Sequence, residues 1–306
     1  MRVLALAATA LALAGGTHAV TPNDPDYRLN AIAARDLALP QAWALTEGSP
    51  AVVIAVVDTG VDADADLAVA SAFCVGAGCT GGDANGHGTA MAHIAAGHVD
   101  NGIDGAGVCG GCRLMAVKVA GADGRFRSDA LAAGIRAAVA HGARVINLSL
   151  GPDPGEPPSP DVAAAVASAL ARGIPVVMAA GNFGLAAPSA NTMASTTPAA
   201  IRVANVVART NTLARTSNRG AWTDVAAPGY EAAAAGPTTR ASEDGTSNSA
   251  AYVSGVVGLM LSCDPRLQPA AVKSTLLRTG TPVAGLDVAS GRVVNAAAAV
   301  RAAGCR

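Results

Sequence analysis

The chain has 306 residues, of which 51% are hydrophobic but only 3% aromatic, so any core has to be packed from Ala, Val, Leu and Ile. A formal net charge of -1, with 14% charged residues and no block of like charge, offers no basic field for a nucleic acid. With 35 Gly and 17 Pro, the composition describes a loop-rich globular chain rather than a disordered or membrane-embedded one.

The N-terminus has Arg2, an apolar stretch from Val3 to Ala14, and small residues at Thr17 and Ala19. That order reads as a secretory signal over residues 1–19, cleaved after Ala19, and the apolar part is too short to span a bilayer. The expected location is therefore extracellular or periplasmic, with no membrane attachment after cleavage. The six cysteines, an even number, suit an oxidising compartment. Their spacing suggests Cys74 with Cys79, Cys109 with Cys112 and Cys263 with Cys305, although six cysteines allow 15 connectivities. Cys109-Gly-Gly-Cys112 can also be read as a redox pair or half a zinc site, but no second such pair and no His at ligand spacing accompanies it.

Val20 to Gly48 is polar and punctuated by proline, and reads as a surface arm or short helix. Ala51 to Val57 is a continuous apolar run of strand length, the pattern of a strand buried on both faces of a parallel sheet. The pattern recurs at Leu114 to Val119, Val145 to Leu150, Val176 to Ala180 and Ile201 to Val207. Helical patterns lie between these runs near His87 to Gly97, Ser128 to His141 and Pro160 to Arg172, and another runs from Ala250 to Leu261. Alternating strands and helices predict a doubly wound, mostly parallel α/β sheet with helices on both faces. With no internal repeat and no linker, residues 20–306 are expected to form one domain.

Such sheets place ligand sites beyond the carboxyl ends of their strands. Asp58 ends the first strand, Gly181 and Asn182 follow the Val176 strand, and His87 precedes a helix at the same edge. Ser247 lies among the cap-type residues Thr246 to Ser249, at a helix start where the dipole and backbone N–H groups favour developing negative charge. A serine hydroxyl needs a base, the base a carboxylate to orient it, and the tetrahedral oxyanion a fixed donor. His87, Asp58 and Asn182 are the residue types for those roles, and imidazole suits base catalysis because it titrates near neutral pH.

VVDTGVD (Val56 to Asp62), GHGTAMA (Gly86 to Ala92), AAGN (Ala179 to Asn182) and GTSNSAAYVSG (Gly245 to Gly255) closely resemble the Asp, His, oxyanion-Asn and Ser signatures of the subtilisin-like serine peptidases, in that family's chain order. VINLSLG, SNRGAWTDVAAPG and GRVVNAAAAV extend the resemblance over nearly all of Asp24 to Val300. It implies a serine endopeptidase acting on polypeptides through Asp58, His87 and Ser247, with Asn182 at the oxyanion and no cofactor for catalysis. It also implies that substrate adds as a strand between Ser149-Leu150-Gly151 and Gly124-Arg125-Phe126. The specificity pocket would then be walled by these residues, by Ala179, Ala180 and Gly181, and by the region of Thr196 and Pro198. Pro152 and Thr196, where glycines are common in the family, imply a shallower pocket taking small or medium apolar side chains.

Several positions depart from the family pattern. Asn248 replaces a common methionine and Ala251 a proline, which implies a relaxed helix start, slower hydrolysis or a larger share of acyl transfer to amines. A weak relative acting as a peptide-binding module is the alternative from another class. His93 replaces a glycine and is expected to be packed or exposed rather than a second base. Asp66 and Asn101 match a family calcium site only roughly, so structural calcium is possible but solvated acidic turns are the expected reading. Only about thirty residues separate the predicted cleavage point from the first strand, too few for the folded pro-segment usual in secreted relatives. The domain is expected to fold unaided or with a helper acting in trans.

Overall fold

The computed structural model describes residues 19–76, 79–151, 159–186, 193–236 and 239–306, so residues 1–18 of the predicted signal and Pro152 lie outside the described residues. The segment read as a surface arm or short helix forms two helices, α1 (Tyr27–Asp36) and α2 (Leu39–Trp43). These helices are part of the core: Ala33, Leu37, Leu39, Ala42 and Trp43 are buried, and the Trp43 indole N–H donates to Val108 O at 2.9 Å. The chain continues through β1 (Val53–Asp58), β2 (Val69–Cys74), α3 (His87–Ala96), β3 (Arg113–Lys118), α4 (Ser128–Ala140) and β4 (Val145–Leu148). Then come α5 (Pro160–Ala171), β5 (Val176–Ala179), α6 (Met193–Thr196), β6 (Ile201–Val207), β7 (Thr212–Leu213) and β8 (Val225–Pro228). Strands β9 (Tyr230–Gly236) and β10 (Thr239–Asp244) form a separate antiparallel pair. The long helix α7 (Thr246–Cys263), α8 (Pro269–Thr279), the short strands β11 (Thr281–Pro282) and β12 (Arg292–Val293), and α9 (Ala296–Ala302) complete the chain.

The main sheet runs β11-β12-β8-β6-β5-β4-β1-β3-β2, with β7 pairing β6. Its pairings are parallel except for β7 on β6 and β11 on β12. β1 lies between β3 and β4, so the chain winds to one side through β2 and β3 and then to the other from β4 onwards. The carboxyl end of β1 is therefore a topological switch point, where such sheets bind ligands. Asp58 is the residue there.

Alternation along β1 explains why both faces are covered. Ile54 and Val56 join the cluster that contains Met91 of α3 and Val253 and Val257 of α7, whereas Ala55 and Val57 join the one with Leu131 and Ile135 of α4 and Val162 and Val166 of α5. Helix α7 is buried along nearly its whole length because it is enclosed between α3 and the sheet, which suits a helix apolar all round. The Ala250 start expected from periodicity is four residues late. Gly245 is the extended N-cap and Thr246 opens the helix, while Ser249 Oγ donates sideways to Ala227 O at 2.9 Å rather than capping.

All three expected disulfides form: Cys74 to Cys79, Cys109 to Cys112 and Cys263 to Cys305. Cys109 and Cys112 are bonded and buried, so they offer no thiol for redox exchange or zinc. Among the described residues no helix is long and apolar enough to cross a membrane.

Candidate active site

Asp58 is fully buried at the end of β1. Its Oδ1 accepts from the Thr59 backbone N–H at 2.8 Å and pairs with His87 Nδ1 at 2.7 Å. A carboxylate fixed in this way selects the imidazole tautomer with the proton on Nδ1 and leaves Nε2 as the basic nitrogen. His87 opens α3 behind Gly86, whose backbone is left-handed at φ 91°. The following Gly88 admits no side chain, because a Cβ there would lie 2.1 Å from Gly60 O.

The α3 N-terminus is held by Asp83, which sequence reasoning missed. Asp83 Oδ1 accepts from Gly86 N at 2.9 Å and Thr59 Oγ1 at 2.8 Å, and Oδ2 accepts from Thr89 N and Thr89 Oγ1 at 2.8 and 2.7 Å. Burial raises its carboxyl, but the hydrogen bonds from Thr89, Gly86 and Thr59 outweigh it and hold the group below the usual carboxylate range. Asp83 thus satisfies the orphan amides of the helix that carries His87. The available signal was an Asp followed by Asn-Gly just before a helical pattern.

Ser247 is the second residue of α7. Its hydroxyl donates to Ser149 O, and Ser149 Oγ donates back to Ser247 O, both at 2.9 Å. Ser149 Oγ accepts from Asn147 Nδ2 at 3.0 Å and Asn147 Oδ1 accepts from Ser254 Oγ at 2.9 Å, so a buried polar chain ties β4 to α7. Asn182 is tied to the same helix. Its Oδ1 accepts from Thr246 N and Thr246 Oγ1, both at 2.9 Å, while Thr246 Oγ1 accepts from Gly181 N at 3.0 Å. With its carbonyl side occupied, Asn182 keeps its amide N–H₂ for other partners. Asn218 shapes the turn around it, donating to Ala180 O at 2.8 Å and accepting from Phe183 N and Leu185 N at 3.1 and 2.9 Å. Gly181 is left-handed at φ 100°, and a Cβ there would lie 2.6 Å from Asn218 Nδ2.

One cleft of about 270 Å³ brings His87, Ser247 and Asn182 together with Ser149, Leu150, Gly151, Gly124, Phe126, Ala179, Ala180 and Gly181. Asp58 lies behind His87, outside the lining. Arg125 does not line this cleft: its exposed side chain lies 4.0 Å from Asp123 and borders a neighbouring groove. Thr196 and Pro198 do not line it either. Thr196 Oγ1 turns back to Met193 O at 3.0 Å, and Met193 and Ala194 take the expected place. Thr59, Asn85 and Phe183 also border it; the aromatic Phe183 is 45% exposed, and nothing in its sequence context marked it.

Of the acidic turns expected to be solvated, the loop carrying Asp100 and Asn101 is exposed, but the Asp66 end is not. Asp66 is fully buried, and His93, 4% exposed, bridges Asp66 Oδ2 through Nδ1 at 3.2 Å and Asp64 Oδ2 through Nε2 at 2.9 Å. Asn101 turns its Nδ2 donor, not its carbonyl, towards Asp66 Oδ1 at 2.8 Å, and its own Oδ1 accepts from Ile103 N at 2.9 Å. Calcium requires oxygen acceptors converging on one point. Here Asp66 faces N–H donors on both oxygens, so Asp66 and Asn101 do not fit the calcium site that the resemblance suggested.

The sequence matches the Subtilase family over residues 49–292. It is 36% identical over 258 residues to subtilisin BL of Lederbergia lenta, covering 82% of this chain and 91% of that protein. It is 39% identical over 247 residues to thermitase of Thermoactinomyces vulgaris, covering 79% and 86%. A solved protease of Pseudoalteromonas arctica PAMC 21717 superposes with a TM-score of 0.80 at 29% identity, covering 93% of this chain and all 100% of that one. The chain belongs to the subtilase family and is a subtilisin-like serine endopeptidase.

Proposed function

We propose that the chain is a secreted endopeptidase in which Ser247 attacks the peptide carbonyl while His87 takes its proton, and His87 then protonates the leaving amine. Asp58 orients His87 and stabilises the imidazolium. Asn182 Nδ2 and the Ser247 backbone N–H hold the oxyanion, and water releases the acyl group from Ser247 by the same base. Catalysis needs no cofactor beyond the chain's own groups and water, as in subtilases generally. The observation that carries this reading is the short Asp58 to His87 bond behind a cleft that His87 shares with Ser247 and Asn182. Leu150, Phe126, Met193 and Ala194 in that cleft favour small or medium apolar side chains before the scissile bond, and export follows from the signal at residues 1–19 with three disulfides.

One observation favours the alternative of a weak, peptide-binding relative: the Ser247 hydroxyl donates to a backbone carbonyl, which is no base. In the active reading this is a resting rotamer that turns to His87 when substrate fills the cleft. A fluorophosphonate probe separates the two. The endopeptidase reading expects labelling of the full chain that is absent in Ser247→Ala and lost on acidification; an unlabelled wild-type chain refutes it.

A further inference from the structure

The resemblance to calcium-binding relatives and the chemistry of the Asp66 corner disagree, and the disagreement has a physical content. Asp64, His93 and Asp104 bring ligand-type atoms within 4.8 Å of one another, and Asp66 lies against the same imidazole. Carboxylates gathered at a buried junction need a cation among them, because an uncompensated buried charge is far more costly than a paired one. A metal ion and a protonated imidazole are both able to meet that need, but they impose opposite hydrogen-bond patterns. A metal calls for lone pairs from every neighbour. An imidazolium presents two N–H donors, whereas a neutral ring has one. Both nitrogens of His93 face carboxyl oxygens, at 2.9 and 3.2 Å, and with both carboxylates ionised only the doubly protonated ring satisfies both.

We propose that His93 replaces a metal ion at this corner, its imidazolium fastening Asp64 and Asp66, which follow β1, to α3 and, through Asn101, to the loop 100–104. That loop needs fastening. Asp100, Gly102 and Asp104 are all left-handed, at φ 61°, 75° and 44°, a conformation that side-chain-bearing residues resist. From the other side Asp24 accepts from Asp100 N, Asn101 N and Gly102 N, and Asp26 N donates to Asp104 O at 2.7 Å. The imidazolium closes the inner side of this clamp. Burial alone lowers the His93 pKa, but the bonds and charges of Asp64 and Asp66 outweigh it and push it up to about 9. Asp64 is correspondingly drawn below the carboxylate range, while burial pushes the deeper Asp66 up despite its bonds from His93 and Asn101.

Two readouts that do not depend on peptidase activity test this. The chain has five histidines, so nitrogen-15 spectra of histidine-labelled protein, assigned by His93→Gln, report the His93 ring directly. At neutral pH both nitrogens are expected to be protonated, in chelator and in millimolar calcium alike, and the wild-type melting midpoint is expected to be the same in both. His93→Ala, with its carboxylates uncovered, is expected to melt several degrees lower in chelator and to recover with calcium. His93→Gln, which keeps the volume without the charge, serves for the same comparison if the alanine variant does not fold. A neutral His93 ring at neutral pH overturns the proposal. So does a wild-type midpoint that rises with calcium where that of Asp66→Asn does not.

Discussion

The His93 corner predicts a specific alkaline loss of stability. An unperturbed imidazole titrates at 6.5 and that of His93 at about 9, so a proton is held about 2.5 units more tightly in the folded chain. At 1.36 kcal/mol per unit this is worth roughly 3 kcal/mol. His93 is almost fully buried, so solvent screening removes little of it. The sign follows from a raised folded-state value. The contribution is complete below pH 6.5, where both states bind the proton, and is lost as pH rises through about 9. Denaturant midpoints of wild type and His93→Gln should therefore differ by a margin that shrinks across this window by the equivalent of roughly 3 kcal/mol. The subtraction matters because Lys273, whose pKa burial draws down, gives a contribution of opposite sign at alkaline pH, and Tyr27, whose pKa burial pushes up, adds one of its own. Both are present in each protein. A margin that stays constant from neutral to alkaline pH, or grows, refutes the imidazolium reading.

Asn182→Ala should lower kcat by about 100- to 1000-fold with little change in KM, the magnitude measured for the asparagine donor of subtilisin; a change confined to KM would place Asn182 in substrate binding alone. Breaking Cys263 to Cys305, which are 42 residues apart, with a double serine substitution should cost about 4 kcal/mol by the loop-entropy relation, read from reversible denaturation. Ser254→Ala leaves the buried Asn147 Oδ1 without its donor and should cost about 1–3 kcal/mol, measured in the same way. Product analysis in the presence of a good amine nucleophile should show ordinary hydrolysis dominating, despite Ala251.

What the sequence displayed and what it hid differ by range. Asp58, His87, Asn182 and Ser247 stand at the joints between strands and helices, and those joints are local events that apolar runs and glycine turns announce. The central strands were legible for the same reason, since Ile54 to Val57 is apolar on both faces and has no other use. Asn218 was not legible, because its value lies in a bond that reaches Ala180, far away in the chain; Asp83 offered a local capping signal through Gly86 and Thr89, but not its bond to Thr59. Polar residues in loops look alike until the fold brings their partners. Helix α9 is short and Ala-rich and carries little periodicity; its start is fixed by Asn295, whose Oδ1 accepts from Ala298 N at 2.9 Å. Arg125 was misplaced because one residue of an edge segment points away from the cleft when its neighbours point in, a choice made by the backbone at Gly124, φ 74°.

The same distinction bears on Ala251. Read locally, an alanine in place of a proline loosens the turn that presents Ser247, since it frees an N–H and releases φ. In the folded chain that turn is restrained from several directions at once. Thr246 is fixed by Asn182, Ser247 by Ser149 through its carbonyl, Asn248 by a 2.8 Å bond to Gly229 O, and Ser249 by Ala227 O. Asn248, where a methionine is common in the family, supplies one of these anchors. Ala251 itself is fully buried in a helix enclosed between α3 and the sheet. A substitution that weakens one restraint shifts an atom only as far as the others allow. Four side-chain anchors leave Ser247 little freedom to drift, so the two departures compensate within a single turn: Asn248 supplies by hydrogen bonding part of the rigidity that Ala251 gives up.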